Sequence, residues 1–322
     1  MLAYSPTTKL PMSAISSVGL TKIYRSRFRG DRGIRALNEF SIDVHRGEIF
    51  SLLGPNGAGK TTFIKILLSL THPSSGRASM LGRELPDVQV KRRTGYLPEN
   101  HRYPGYLTGP EVLSYFGRLS EVGKAALRPR IPALLSLVGL SDWSSLKVKK
   151  YSKGMLQRLG LAQAMVNNPD ILFLDEPTDG VDPVGRKEIR DILRNLKGEG
   201  KTIFLNSHLL SEVELVSDRV AILDRGTLLK VGTVEELTSP GLLYEIGHSG
   251  RLPEEFQVEA SARVLKATYA EGMLTVECRN TAELNAAIDL LRGHGVEITS
   301  VVKQRSTLED SFLSLIRREV AP

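Results

Sequence analysis

The sequence predicts an α/β fold: a mainly parallel sheet covered on both faces, an inserted all-helical subdomain, and a small α+β domain at the C-terminal end. Three observations carry this. Residues 48–53, 171–174 and 202–205 are short, continuous apolar runs, the mark of strands buried on both faces. Helical segments lie between them, including 62–68 and 186–197, and strands that alternate with helices build parallel sheets. At Thr238-Ser-Pro-Gly241, a turn-rich tetrapeptide, the texture changes to short strands and two helices.

The elements follow in order. Residues 1–17 lack a charged segment followed by a long apolar run, so they do not read as a signal peptide but as a short disordered leader. Residues 18–47 alternate apolar and polar positions, as half-buried strands do. Between about 100 and 165 the pattern is helical with little strand character, which defines the inserted subdomain of a first domain spanning 18–240. From 241 to 322, strands are expected at 242–246, 263–269, 274–278 and 297–302, with helices at 282–292 and 307–317.

Composition narrows the classes. The chain has 322 residues, 41% hydrophobic and 25% charged, which suits a globular protein of one large or two ordinary domains. No stretch reaches the roughly 18 apolar residues of a membrane span, so work at a membrane needs another chain to supply the spans. Cys278 is the single cysteine and cannot form an intramolecular disulfide, so a reducing cytosol is the simplest compartment. It lies in an alternating stretch, 273–278, which favours a strand residue over a catalytic thiol. The net charge is +7, and Lys22, Arg25, Arg27, Arg29, Arg32 and Arg35 form its sharpest cluster. That cluster reads either as a polar loop between strands or as a surface near anionic headgroups or nucleotide.

Two motifs carry chemistry. Gly54, Pro55, Asn56, Gly57, Ala58, Gly59, Lys60 and Thr61 fit G-x-x-x-x-G-K-[ST], between a buried strand and an apolar helix that starts at Thr62. The glycines let the backbone turn its N–H groups toward phosphate oxygens, and the following helix adds its positive end. Lys60 is placed to reach the β and γ phosphates of ATP, and the Thr61 hydroxyl to bind Mg²⁺. The run 171–174 ends in Asp175 and Glu176, and strand C-terminal ends are where ligands bind in open α/β sheets. Asp175 can hold Mg²⁺ through water and Glu176 can polarise the attacking water. Taken alone, the two acids could instead cap a turn with Pro177.

Tyr151-Ser-Lys-Gly-Met-Leu-Gln-Arg158 resembles the signature motif of ATP-binding cassette (ABC) ATPases, whose usual form is Leu-Ser-Gly-Gly-Gln. Ser152 also suits an N-cap, and Met155, Leu159, Ala162 and Val166 trace an apolar helix face behind it. The resemblance covers residues 18–235 and implies a P-loop NTPase of ATP-binding cassette type. It implies that Ser152 and Gly154 meet the γ-phosphate held by an opposite subunit, in a head-to-tail sandwich dimer with two ATP molecules. Lys60, Glu176 and His208 are then catalytic, with His208 as the switch histidine at the γ-phosphate. The same resemblance implies that Tyr24 stacks on adenine and that Thr62 belongs with the nucleotide-binding residues. It places Asp182 in the loop linking the two sites. Glu99, in Gly95-Tyr-Leu-Pro-Glu99, stands where a glutamine usually contacts Mg²⁺ or water and senses the membrane partner. Tyr151, Lys153 and Met155 depart from the usual form, while Ser152 and Gly154 remain, so hydrolysis is expected to survive.

The segment Ser306-Thr-Leu-Glu-Asp-Ser-Phe-Leu313 resembles the accessory C-terminal domain of nucleotide-binding subunits of type-2 exporters. This implies an ATP-hydrolysing subunit at the cytoplasmic face of the membrane, powering a separate transmembrane permease, with no nucleic acid partner. Two other readings compete. A soluble ABC ATPase acting on ribosomes or nucleic acid is disfavoured by the single phosphate loop and the lack of a sustained heptad run. A regulatory module without turnover is disfavoured by Lys60, Asp175, Glu176 and His208 together.

Overall fold

The alternating residues near the N-terminal end become two long strands, β1 (Ser13–Tyr24) and β2 (Ile34–His45), paired antiparallel. β3 (Ile49–Leu53), α1 (Lys60–Leu67), β4 (Ser75–Met80), β5 (Arg83–Glu84), α2 (Val88–Arg92) and β6 (Thr94–Leu97) follow. The helices α3 (Gly109–Leu119), α4 (Lys124–Leu137) and α5 (Lys153–Ala164) come next with no named strand among them, so the expected helical insert is present. The unit continues through β7 (Ile171–Asp175), α6 (Pro183–Gly198), β8 (Thr202–Asn206), α7 (Leu210–Val216), β9 (Arg219–Asp224) and β10 (Thr227–Thr233). The computed structural model describes residues 13–24, 33–238, 242–249, 266–270, 272–278, 280–304 and 307–320. Four residues of the basic cluster, Arg25, Arg27, Arg29 and Arg32, lie outside the described residues, as do residues 1–12 and the start of the strand expected at 263–269.

β2, β1, β4 and β5 form an antiparallel sheet in that order. β10, β9, β3, β8, β7 and β6 form the second sheet, in which β9, β3, β8, β7 and β6 run parallel. Every residue of β3, β7 and β8 is buried, as their apolar runs predict, and Phe50, Phe173 and Phe204 share a core with residues of β1, β2 and α1. Aromatic contacts knit this core. The Phe63 ring of α1 lies 4.8 Å from Phe40 and 5.8 Å from Phe204. Phe204 in turn lies 5.7 Å from Phe50 and 5.4 Å from Phe173. The helix that follows the phosphate loop and the strands that carry the acids therefore share one core.

Two expectations about boundaries are corrected. β1 begins at Ser13, so residues 13–17 belong to the sheet and not to a leader; Ala14 and Ile15 are fully buried between their strand neighbours. The chain divides into Met1–Gly232 and Thr233–Pro322, earlier than the expected break at 240/241. The reason is α8 (Val234–Thr238). Thr233 caps it, and the Leu237 carbonyl accepts a bond from Ser311 Oγ, which holds this helix in the second unit.

The second unit continues through β11 (Leu242–Ser249), β12 (Lys266–Ala270), β13 (Met273–Cys278), α9 (Thr281–Gly293), β14 (Glu297–Gln304) and α10 (Leu308–Val320). Its antiparallel sheet has the order β12-β13-β11-β14. One face buries Ile246, Leu274, Val276 and Cys278 against Leu284, Ala287 and Leu291 of α9. Burial also pushes the Cys278 thiol up from its ordinary pKa, which suits a packed strand residue and not a nucleophile.

Candidate nucleotide site

The phosphate loop is packed tightly at its ends and left open in its middle. A Cβ on Gly54 would lie 2.2 Å from the Leu223 carbonyl oxygen. Gly59 has φ +112°, and a Cβ there would lie 2.3 Å from the Ala36 carbonyl oxygen, so only glycine fits. Between them Asn56 and Gly57 are exposed, and a Cβ on Gly57 would meet nothing within 4 Å. Ala58 is buried and donates its N–H to the Pro55 carbonyl at 3.1 Å, which closes the turn. α1 has no side-chain cap and no acid in its first turn, so its positive end is available to an anion. Lys60 opens that helix with its side chain buried. Its ammonium donates to the Gly54 and Pro55 carbonyls at 2.6 and 3.1 Å. Burial pulls its pKa down, and the fields of Glu176, Asp175 and Glu99 push it back up. Thr61 is exposed and Thr62 half-buried beside it.

β7 delivers the acids. Asp175 ends the strand, 4% exposed, and its Oδ1 accepts a 2.5 Å bond from Asn206 Nδ2. Burial raises its carboxyl above the usual range, opposed by the Asn206 bond and reinforced by Glu176 and Glu99. Glu176 opens the next turn at φ +52°, a sparsely populated conformation for a side-chain-bearing residue. Its N–H donates to the Asn206 carbonyl at 2.8 Å. One carboxylate oxygen accepts from the His208 N–H at 2.9 Å and lies 2.9 Å from His208 Nδ1. The other accepts from Ser207 Oγ at 3.2 Å. Glu99 is exposed at the end of β6, close enough that its charge acts on Lys60, Asp175 and Tyr96. The Tyr96 hydroxyl is pushed up to about 12 by burial, with Asp175 and Glu99 adding to it. The fold thus gathers Lys60, Asp175, Glu176 and His208, with Glu99 at the margin.

Sequence reasoning missed Asn206 and Ser207. The signal was there: two polar residues directly follow the apolar run 202–205, at a strand end where side chains meet ligands or other acids. Asn206 Oδ1 is buried with no hydrogen-bond partner among the described residues, a polar atom left over on the acid side of the site.

The raised carboxyl of Asp175 has a stability consequence. An acid that holds its proton more tightly when folded contributes stability below its unfolded pKa, near 3.8, and loses it as pH rises through the folded value. At neutral pH the ionised group therefore weighs against the nucleotide-free fold. Asp175→Asn keeps the acceptor for Asn206 and removes the buried charge. It is expected to raise the melting temperature of the nucleotide-free first unit, Met1–Gly232, by on the order of 2–4 °C, the shift that about 1 kcal/mol produces in a unit of this size. A lower melting temperature, by calorimetry at pH 7, would contradict this account.

Four expected residues stand apart from that group. Ser152 caps α5, its Oγ accepting from the Met155 N–H at 3.2 Å. Among the described residues a Cβ on Gly154 would meet only Val181 Cγ1 at 3.9 Å and Ser152 Oγ at 4.0 Å, so their packing does not demand glycine there. Asp182 caps α6, its Oδ1 accepting from the Gly185 N–H at 2.8 Å. Tyr24 ends β1, 40% exposed, with Lys22 Nζ 5.0 Å from its ring centre. Among the described residues no hydrogen bond or ion pair links these four to the Lys60 group. Behind Ser152, Leu159, Ala162 and Val166 are buried as expected, but Met155 is only half-buried. The side chain that α5 buries in its place is Gln157.

Comparison with known proteins shows the family. Residues 37–179 match the ABC transporter family. An uncharacterised ABC transporter ATP-binding protein of Synechocystis sp. is 42% identical over 300 residues, 92% of this chain and 83% of that protein. The Nod factor export ATP-binding protein I of Cupriavidus pinatubonensis is 31% identical over 319 residues, 98% of this chain and 96% of that protein. A bacterial ABC transporter cassette solved as a dimer superposes with a TM-score of 0.62 at 25% identity, covering 68% of this chain and 98% of that one. No helix among the described residues is long and apolar enough to cross a membrane. With a phosphate loop beside a buried acid pair and a histidine, and with these relatives along nearly its whole length, the chain belongs to the ATP-binding, ATP-hydrolysing proteins of ABC transporters, in the type-2 group.

Proposed function

We propose that this chain powers an ABC-2 type exporter, hydrolysing Mg-ATP in a head-to-tail sandwich dimer at the cytoplasmic face of the membrane, while a separate transmembrane permease moves the cargo. The observation that carries the reading is the convergence of Lys60, Asp175, Glu176 and His208 beside an open phosphate loop. Gly154 adds support for the dimer. Among the described residues nothing requires glycine at this half-buried position in the first turn of α5, so the small residue suits approach by a ligand from outside. The export direction is supported by the likeness to the Nod factor export protein.

The donor set fits a divalent cation. The charges of three acids, Glu176, Asp175 and Glu99, act on Lys60, burial leaves the Asp175 carboxylate short of compensating charge, and the Thr61 hydroxyl is exposed at the start of α1. Thr61 and Asp175 would hold Mg²⁺, with Glu99 in reach, and the ion would offset the charge spread over the phosphates. The chain's own residues do the rest. Tyr24 stacks on adenine. N–H groups between Gly57 and Thr62 hold the phosphates, and Lys60 trades loop carbonyls for phosphate oxygens. Glu176 orients the attacking water and takes its proton, as the new oxygen–phosphorus bond forms and the bond to ADP breaks. His208, whose exposed ring is held at Glu176, supports the γ-phosphate. Ser152 and Gly154 of the partner subunit close over the same phosphate, Asp182 sits in the loop between the two sites, and closure excludes bulk water.

The test is affinity purification of a tagged full chain from detergent-solubilised native membranes, with partners identified by mass spectrometry. A multi-pass protein in stoichiometric amount is the expected result. Recovery of only soluble or ribosomal partners would replace the exporter with a soluble ABC ATPase.

A further inference from the structure

Helix α5 is fastened to the loop that carries Glu176 at two points one turn apart. Gln157 is 4% exposed, and its Nε2 donates to the Glu176 carbonyl at 2.8 Å. Lys153, four residues earlier and so on the same helix face, donates Nζ to Asp179 Oδ2 at 2.7 Å. The Lys153 side chain lies against Gly180, where a Cβ would come within 2.3 Å of Lys153 Cδ. The Lys153 bond also holds the Asp179 carboxyl below its usual range.

The fastening acts on a strained residue. Glu176 sits at φ +52°, and such a conformation persists only where the surroundings over-determine it. The Asn206 carbonyl takes its N–H and the Gln157 amide donates to its C=O, so the peptide groups on both sides are fixed. With the backbone pinned on both sides, the carboxylate is aimed at Ser207 and His208. One of the two pins comes from the sheet and the other from the helical subdomain.

We infer that Gln157 and Lys153 are positioning residues for hydrolysis, tying the helix that meets the partner's nucleotide to the backbone of the glutamate that serves the chain's own. The inference rests on the roles proposed above for Glu176 and for the Ser152 end of α5. Its consequence is coupling: engagement of α5 by one ATP molecule sets the geometry of Glu176 toward the other. A glycine at position 153, the usual residue there, would leave only the Gln157 bond.

The purified full chain provides the test. Gln157→Leu, which keeps the bulk and removes the amide, is expected to lower kcat by about tenfold or more, since small misplacements of a reacting group are costly. Lys153→Glu is expected to do the same. Affinity for a fluorescent ATP analogue should stay within about twofold, with the melting temperature within a few degrees. Lys153→Glu combined with Asp179→Lys restores the pair in reverse and is expected to bring kcat back to within about threefold of the parent. Three results would overturn the inference: kcat within about twofold of the parent in both single variants, a reversed pair no better than Lys153→Glu alone, or affinity and melting temperature falling in step with kcat. Glu176→Gln, run alongside, separates the two levels. If it retains turnover, the role of Glu176 fails and the inference with it. If it is inactive while Gln157→Leu and Lys153→Glu both keep kcat within about twofold of the parent, the inference alone fails.

Discussion

Glu176→Gln is expected to lower ATP turnover by roughly 10²–10⁴-fold, the range a positioned general base supplies, while ATP still binds and holds the dimer closed. Glutamine matches the side chain in size, and its amide oxygen can still accept from the His208 N–H, the 2.9 Å bond seen here. The backbone requirement at φ +52° is no worse for glutamine than for glutamate. What is lost is the ability to take a proton from water. Phosphate release measures the first half of the expectation, and molecular mass in solution with and without Mg-ATP measures the second. Turnover close to that of the parent would refute the role given to Glu176. An inactive variant that stays monomeric with ATP would refute the sandwich dimer and leave the base intact.

Lys60→Ala is expected to remove nucleotide binding almost entirely. The ammonium stands among Glu176, Asp175 and Glu99. Without it, the phosphates would enter a site whose remaining nearby charges are acids. Truncating one partner of a close charge pair costs about 2–5 kcal/mol, or roughly 30-fold to several thousand-fold in affinity. The fold itself should suffer little. Burial lowers the pKa of Lys60 below 10.5, so the native chain holds that proton less tightly than the unfolded one. Its contribution is present above 10.5 and is lost as pH falls through the folded value, so at neutral pH the charge is not what stabilises the apo protein. The discriminating measurement is the rise in melting temperature on adding a non-hydrolysable ATP analogue, present in the parent and absent in the variant. A parent-like rise would show that the phosphates bind elsewhere.

Much of this architecture is legible in the residues. The runs 171–174 and 202–205 become β7 and β8, because a strand buried on both faces reads as a nearly continuous apolar run; the residue each gains at its C-terminal end, Asp175 or Asn206, is a polar residue of the site. The phosphate loop is legible because its spacing admits few other structures. Other features depend on neighbours far along the chain. Ser13, Ser16 and Ser17 hide the first half of β1, and only pairing with β2 and β4 makes it a strand. α8 belongs to the second unit through a bond to Ser311, 74 residues away. Asn206 and Ser207 gain their place from acids 31 residues earlier, and Gln157 from a carbonyl 19 residues later. The apolar periodicity of α5 pointed to Met155, whereas the buried position is polar, because a strained carbonyl needs a donor there.

The aromatic contacts around Phe63 and Phe204 bear on what happens when the protein is warmed. Phe40, Phe50, Phe173 and Phe204 lie on four different strands, and Phe63 on the helix after the phosphate loop. Local opening of any one of these elements must break a shared core, whereas α4 buries only Leu127, Leu134 and Leu135. Amide hydrogens of β3, β7 and β8 should then exchange with solvent only when the whole unit unfolds, and those of α4 through smaller excursions. The hydrolytic machinery is built into the last part to melt, so a heat-stressed molecule would lose α4 while its ATP-cleaving centre still stands.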